Sequence, residues 1–377
     1  MAAVQILLLG NDPGDQQWSV LNYGQQLQRT LSTSSLRNAS CDVSLLAPDT
    51  RTAGRWLRQR RPGRSLAMYW SRYMLYPGLI RAKQAAIYHI LDQGNSWLIH
   101  YLDPARTVIT CHDLIPLVLS HRNNSTWPWL SRAAYRHGVS GLSRAAAILA
   151  DSHSTRQDLI TYLRCSSDRI HVVPLGLDPG FRPPADSEAA LAARTALQLP
   201  AGILLLHVGQ NAFYKNLEGI IRGLKTLLDR KESVWLIRAG APLRQSQRRL
   251  AGRLGVVDRI VELGYLPHEK LRRLYHAADL FVFPSWYEGL GLPPLEAMAS
   301  GLPVIVSDRG ALPETAGGAA LTVDPDAPIQ LADAVQRLMR DAALRAELRQ
   351  RGLARAGQFC WEITAQKTLE VYRLLSG

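Results

Sequence analysis

The segment Phe283 to Glu296, FPSWYEGLGLPPLE, sets two carboxylates, Glu288 and Glu296, across a glycine-rich turn. The turn is predicted to open into a helix through LPPLEAMAS. N–H groups at a helix start face an anion, and carboxylates accept hydrogen bonds from hydroxyls. Together they suit an anionic, polyhydroxylated ligand such as a nucleotide sugar. Gly289 and Gly291 flank Leu290 and let the backbone approach a ligand closely. Pro293 and Pro294 fall in the first helical turn, where a missing N–H costs little. The plainer alternative is that Glu296 complements the helix N-terminus and Glu288 is solvated.

Lys215 lies in VGQNAFYKNLEG, residues 208–219. A strand is predicted to end at Val208, a loop to run from Gly209, and a helix to begin near Asn216. A cation beside a helix start opposes the dipole, so it makes sense where an anion binds. Otherwise it is an exposed loop lysine. In TCHDLIP, residues 110–116, a strand ends at Cys111 and His112 and Asp113 emerge at the sheet edge. His112 could donate a hydrogen bond to a sugar hydroxyl or stabilise a transferring centre. A satisfied core histidine fits the pattern equally well. Asp151–Ser152 follows another strand in the same manner. The Gly10–Gly14 loop has no GxGxxG and is not read as a dinucleotide site, although it belongs at the same edge. VPLGLD, residues 173–178, reads as a hinge-like junction.

These residues need strand ends to carry them. Short apolar runs alternate with helical patterns along the whole chain, which predicts parallel sheets covered on both faces. First-half strands are expected at Val4–Leu9, Asp42–Ala47, Thr107–Cys111, Ala147–Ala150 and His171–Val173. Second-half strands are expected at Ile203–Val208, Ser233–Arg238, Ile260–Leu263, Leu280–Phe283, Pro303–Ser307 and Ala320–Val323. Second-half helices are expected at about 216–229, 243–254, 268–276, 292–300 and 327–340. The proline-rich Asp178–Glu188 reads as a linker. The expectation is an α/β chain of two doubly wound, Rossmann-like domains, 1–180 and 181–358, facing across a cleft. An amphipathic final segment, 359–377, would pack back on the first. Ligands then bind beyond the carboxyl ends of the strands.

The chain has 377 residues, which suits two domains. The cysteines Cys41, Cys111, Cys165 and Cys360 are scattered, form no metal-ligand cluster, and read as buried thiols in a reducing compartment. No apolar run reaches transmembrane length, so a cytoplasmic setting is expected. The net charge is +13. Between Arg51 and Lys83 basic residues are interleaved with Trp56, Trp70, Tyr73 and Tyr76, and no acid occurs. Such a segment suits an anionic membrane surface or a lipid-linked phosphate, so peripheral membrane contact is expected. Inward-turned aromatics beneath a solvated arginine-rich surface are the alternative. No nucleic-acid motif is present, and no nucleic-acid partner is expected.

The block AADLFVFPSWYEGLGLPPLEAMASGLPVIVSDRGALPETAGGAALTVDP, 277–325, resembles the retaining nucleotide-sugar glycosyltransferases of family 4, with the two-domain GT-B fold, and bacterial mannosyltransferases among them. GQNAFYKN at 209–216, TCHDLIP, ADSHSTRQDL at 150–159 and VVPLGLD at 172–178 match in the same order. The resemblance implies that Lys215 contacts the donor diphosphate, Glu296 the ribose, and Glu288 the transferred sugar and reaction centre. The Gly289, Leu290, Gly291 and Leu292 N–H groups would hold sugar or phosphate oxygens, and His112 would touch the donor sugar. Gly14, Gly209 and Gln210 would line the nucleotide sugar. The implied reaction moves a hexosyl group, mannose before glucose, from GDP-mannose or a UDP-hexose to a saccharide or lipid-linked hydroxyl, with retention. No metal or other cofactor is expected. A nucleotide-sugar epimerase or hydrolase, or a non-catalytic scaffold, are the alternatives. The chain departs from the family where an arginine is common before the lysine: Gln210 and Asn211 stand there, so one phosphate cation is missing or comes from elsewhere. Leu290 stands where Phe is common, and Arg238 where Gly is common.

Overall fold

The computed structural model describes residues 4–13, 18–33, 41–49, 70–120 and 128–376. The chain folds as two units, 1–176 with 361–377, and 177–360. Among the described residues each is built on a six-stranded sheet whose strand pairs are all parallel.

In the first unit the strands are β1 (Val4–Leu9), β2 (Cys41–Leu46), β3 (Ile87–Ile90), β4 (Thr107–Cys111), β5 (Ala147–Ala150) and β6 (Ile170–Val172). Their order is β2-β1-β3-β4-β5-β6. β3 lies outside the expected strand set. All four of its residues are buried, yet IYHI is short, carries His89, and adjoins the basic aromatic stretch. Leu7, Leu9, Ile90, Ile109 and Ile148 lie in one core with Trp97, Leu98 and Leu159. The helix Trp361–Ser376 closes this unit. Its Thr364 Oγ1 donates to Pro174 O at 2.7 Å, and Tyr372 lies 2.5 Å from His89 Nδ1.

In the second unit the strands are β7 (Ile203–Val208), β8 (Val234–Ala239), β9 (Ile260–Glu262), β10 (Leu280–Phe283), β11 (Val304–Ser307) and β12 (Leu321–Val323), in the order β12-β11-β10-β7-β8-β9. The helices Leu217–Asp229 and Pro328–Arg340 press Ile220, Leu224, Leu331 and Val335 against Leu205, Leu236 and Ile305. Three described helices of this unit fall outside the sequence expectation, one of them the short Leu312–Ala316 with a proline in its first turn. Ser187–Ala196 starts inside the stretch read as linker, capped by Asp186 Oδ1 on the Ala189 N–H. Ala342–Ala356 is so rich in arginine that its buried face shrinks to Leu348, Gly352 and Ala356.

Strand order fixes where a ligand can sit. Open parallel sheets bind ligands where successive connections leave toward opposite sides. In the second unit that point lies between β7 and β10. In the first it lies between β1 and β3.

Candidate functional site

The loops after β7 and β10 carry most of the residues singled out in the sequence. β7 ends at Val208, and Gly209 follows with φ +149°. A short 3-10 turn, Phe213–Lys215, leads to Asn216, which adopts φ +53° and caps the next helix through Oδ1 on the Gly219 N–H. The Asn216 Nδ2 group reaches Pro284 O at 3.1 Å and Pro325 O at 2.7 Å. It therefore ties this loop to the one after β10.

Lys215 is not an exposed loop lysine. It is 8% exposed, and its Nζ lies 2.8 and 3.0 Å from the two carboxylate oxygens of Glu288, itself 7% exposed. The ammonium also sits 4.6 Å from the Phe283 ring centroid. Glu288 is therefore neither solvated nor alone. Its carbonyl accepts the Ala311 N–H at 3.1 Å. Gly289 and Leu290 follow, and Thr315 donates to the Leu290 carbonyl. Gly291, at φ +92°, precedes the helix Leu292–Ala299, which has prolines in its first turn. A Cβ at Gly291 would meet Leu312 at 2.8 Å, so close packing and backbone conformation both favour glycine there.

Glu296 sits in that helix and receives the Tyr275 hydroxyl at 2.7 Å. Burial raises its pKa to about 7, against the hydrogen bond from Tyr275 that lowers it, with Asp178 adding to the rise. Tyr275 is fully buried, with its ring edge-on to Phe181 at 5.4 Å. In sequence it is one more apolar position of the helix His268–Ala277, so nothing marked its hydroxyl as a carboxylate partner.

Asn211 joins the neighbouring loop after β8. Its Nδ2 donates to Pro242 O at 2.7 Å and to Gln247 Oε1 at 2.8 Å, and Gln247 Nε2 returns a bond to Asn211 Oδ1 at 3.1 Å. Arg244 Nη2 donates to Asn211 O at 2.6 Å. The exposed Gln210 stands at the outer end of β7.

In the first unit His112 leaves β4 as the sequence implies, but both ring nitrogens are engaged. Nδ1 lies 2.8 Å from Asp151 Oδ2, and Nε2 lies 3.0 Å from Leu91 O. Its N–H donates to Gln93 Oε1 at 3.0 Å. Burial opposes the charged ring, yet Asp151, with Asp92 and Asp113, lifts its pKa to about 9. His112 is therefore held in its charged form at neutral pH, while burial raises the Asp151 carboxyl's pKa and His112 acts the other way. Tyr23 meets the His112 ring edge-on at 5.1 Å and lies 2.9 Å from Thr110 Oγ1, which lies 2.8 Å from His89 Nε2. At the switch point Asn11 donates to Asp92 at 2.7 Å, Asn95 to Asn11 at 2.7 Å, and Ser71 to Asp12 at 3.2 Å. Asp92 and Asn95 follow β3, whose four residues carry little strand pattern, so nothing in the sequence marks them as site residues. Gly14 lies outside the described residues.

Of the basic aromatic segment, 51–69 also lies outside the described residues. Within the rest, Tyr76 is fully buried and donates to Gly10 O and Leu46 O, at 2.8 and 3.1 Å, whereas Trp70 is 53% exposed. Cys111 and Cys165 are buried, but Cys41 and Cys360 are only partly so, which corrects the expectation of four buried thiols. Among the described residues no group of three or more His, Cys, Asp or Glu could hold a metal ion. No helix among them is long and apolar enough to cross a membrane.

Comparison with known proteins agrees with this geometry. The model of glycosyl transferases group 1 matches residues 196–355, and that of Glycosyltransferase Family 4 matches 33–181. The chain is 32% identical to the O-antigen chain mannosyltransferase B of Escherichia coli, over 76% of this chain and 74% of that protein. It is 31% identical to the D-inositol 3-phosphate glycosyltransferase of Corynebacterium glutamicum, over 73% and 68%. It also matches the E. coli serotype-specific mannosyltransferase WbdA, but spans only 34% of that protein's length. Anabaena HepE, solved in complex with UDP and glucose, superposes with a TM-score of 0.74 at 18% identity, over 97% of this chain and 98% of that one. Two parallel-sheet units of Rossmann type, glycine-lined loops at the switch points and these matches agree: the chain belongs to the group 1 and family 4 glycosyltransferases, enzymes of the α/β GT-B-type fold.

Proposed function

We propose that this glycosyltransferase moves a hexosyl group, mannose before glucose, from a nucleoside diphosphate sugar to a hydroxyl of a saccharide or lipid-linked acceptor, with retention at the anomeric carbon. The observation that carries the reading is the buried, two-point Lys215–Glu288 pair beside Gly209 and Gly289 at the second-unit switch point. An ammonium held at such a place is ready to turn toward an arriving diphosphate. Its carboxylate partner then becomes free to accept sugar hydroxyls. Glu296 takes the ribose hydroxyls, and the backbone of 289–292 receives sugar or phosphate oxygens. The bond from the anomeric carbon to the diphosphate oxygen breaks as the bond to the acceptor oxygen forms on the same face. The acceptor proton passes to the departing diphosphate. Lys215 and the helix-start N–H groups stabilise the charge that gathers there, a kind of contact whose loss commonly costs about 3–4 kcal/mol in the transition state. His112, held by Asp151, is the residue this reading assigns to a sugar hydroxyl. The mannosyl preference is supported by the E. coli O-antigen relative, while the UDP and glucose bound by HepE keep glucose in view.

The acceptor is brought by a membrane surface in this reading. Trp70, Met74, Trp129 and Leu130 are 53, 69, 74 and 62% exposed in the first unit. Arg72, Arg81, Lys83, Arg132 and Arg136 lie in the same two segments, 70–83 and 129–139, which contain no acidic residue. Tyr73 and His137, 6.1 Å apart, join those segments. Exposed aromatics among cations suit an anionic interface.

The test is turnover of radiolabelled GDP-mannose and UDP-glucose with a lipid-linked saccharide, followed by NMR of the new linkage. Transfer with an α-linked product from an α-linked donor supports the reading. Donor consumption without transfer points to a hydrolase or epimerase, and an inverted product contradicts retention. Sedimentation with vesicles of phosphatidylglycerol, comparing wild type with a Trp129→Ala/Leu130→Ala double variant, tests the membrane contact. Equal absence from the pellet would end that part.

A further inference from the structure

Arg238, on β8, heads the fully buried side chains by volume and is 1% exposed. A charge taken out of water is expensive unless it is paired and hydrogen-bonded. This one is only partly provided for. Nη2 donates to Gly209 O at 3.1 Å and to Ala241 O at 2.6 Å, but Nε and Nη1 are buried with no hydrogen-bond partner. The carboxylate opposite in register is Glu262. It is already engaged, by the Leu243 N–H at 2.6 Å and by Arg248 at 2.7 Å. Burial lowers the guanidinium pKa to about 10, with Glu262 acting the other way, so it remains cationic at neutral pH.

Apart from Glu262, already engaged, the neighbours add no unpaired anion. His207 lies beside Arg238 across the β7–β8 ladder, is fully buried, and has neither ring nitrogen hydrogen-bonded. Burial, then Arg238 and Lys215, push its pKa well down, so the ring is neutral. It stacks on Phe283, the ring beside the Lys215 ammonium. Lys215 is balanced by Glu288, so the buried set of 207, 215, 238 and 288 holds one positive charge in excess. Gly209 lies between the two cations. Arg238 holds its carbonyl, and a Cβ on it would lie 3.7 Å from Lys215 Cε. A Cβ on Gly240 would strike the same carbonyl at 2.0 Å, so this peptide is closely wedged. A trans peptide sends its N–H opposite to its carbonyl. The N–H paired with the Gly209 carbonyl is that of Gln210, which makes no hydrogen bond among the described residues.

We propose that Arg238 is a positioning residue for the donor diphosphate, polarising the Gly209–Gln210 peptide so that the Gln210 N–H meets the phosphate, and adding its own positive charge through its field. Hydrogen bonds in series strengthen one another, and a poorly solvated cation acts strongly over short distances. The inference rests on the donor reading given above.

The test is calorimetric binding of nucleoside, nucleoside monophosphate and nucleoside diphosphate, in the uridine and guanosine series, to wild type, Arg238→Met, Arg238→Lys and Arg244→Ala. Arg238→Met is expected to reduce the preference for diphosphate over nucleoside at least tenfold, while nucleoside affinity stays within twofold. Arg238→Lys should recover part of that preference, and Arg244→Ala should keep it. If Arg238→Met does not fold, Arg238→Gln against Arg238→Lys makes the same comparison of neutral and charged side chains. A folded neutral variant with unchanged diphosphate preference overturns the proposal, whatever its Tm. Loss of the preference in Arg244→Ala alone overturns it in favour of the exposed guanidinium. Wild type with no preference for diphosphates would instead sink the donor reading itself.

Discussion

The two switch points solve opposite electrostatic problems. The one in the second unit gathers Lys215, Arg238 and glycine backbone, with Glu288 as its bonded counter-charge. The one in the first unit gathers Asn11, Asp12, Asp92 and Asn95. Nearby, His112 is fastened at both ring nitrogens. The first is a cationic place whose lysine is held by a single carboxylate partner, Glu288. The second is a polar place rich in carboxylates and already knitted together. In the proposed function an anion belongs at the cationic one. The lesson is that similar parallel sheets acquire different chemistry from a few residues just beyond their strand ends.

The largest break in that contrast should come from Lys215→Ala. We expect kcat/KM to fall about 10²–10³-fold, the usual size for one lost charge-stabilising donor. Removing one partner of a buried pair is also strongly destabilising. The Lys215→Ala/Glu288→Ala double variant should therefore have a higher Tm than either single variant. Strictly additive Tm losses would show that the two side chains do not depend on each other.

On the first-unit side the His112–Asp151 pair should appear in the pH dependence of stability. The folded pKa of His112, about 9, is above the ordinary value. Its stabilising contribution is full below about pH 6.5 and is lost as pH rises toward 9. Denaturant melts at pH 6, 7.5 and 9 should show a decline of about 2 kcal/mol from this group, absent in Asp151→Asn. Parallel curves for the two proteins would contradict the pairing.

Glu296 sharpens the contrast further. Its pKa is raised to about 7, so it becomes ionised, and able to accept two ribose hydroxyls, only as pH rises through that value. Donor affinity should increase several-fold, up to about tenfold per unit, between pH 6 and 8. Glu296→Gln should flatten the curve. A wild-type affinity that falls over this range would reverse the assignment. The smallest expected effect is that of EDTA. If Lys215 stabilises the leaving group as proposed, turnover should change by less than about twofold. Loss of activity that Mg²⁺ or Mn²⁺ restores would show that the lysine does not suffice.

Most of both sheets was readable because buried parallel strands are short apolar runs. The expected and observed bounds of β1, β4, β5, β7 and β10 coincide. β3 escaped because four residues containing His89 carry little pattern of their own. Its burial comes from β1 and β4 on either side. The helix Ala342–Ala356 escaped for the opposite reason, since its arginines hide a narrow apolar face. The second-unit segments 209–215 and 288–296, singled out by type and spacing, meet through Lys215 and Glu288. Their other partners were not legible. Tyr275 on Glu296 and Arg238 on Gly209 are meetings of distant segments, and in sequence each looks like an ordinary helix or strand position. Those partners decide which charges are balanced, so electrostatics was the least legible part of the site.

The most direct test of the central claim is calorimetry of a panel of GDP- and UDP-sugars against wild type and Lys215→Ala. A single donor that binds wild type tightly and weakens sharply in the variant is the predicted result, and it would identify both base and sugar. Equal affinity of the two proteins for every donor that binds would contradict a diphosphate at Lys215 and, with it, the account of a cationic switch point awaiting its anion.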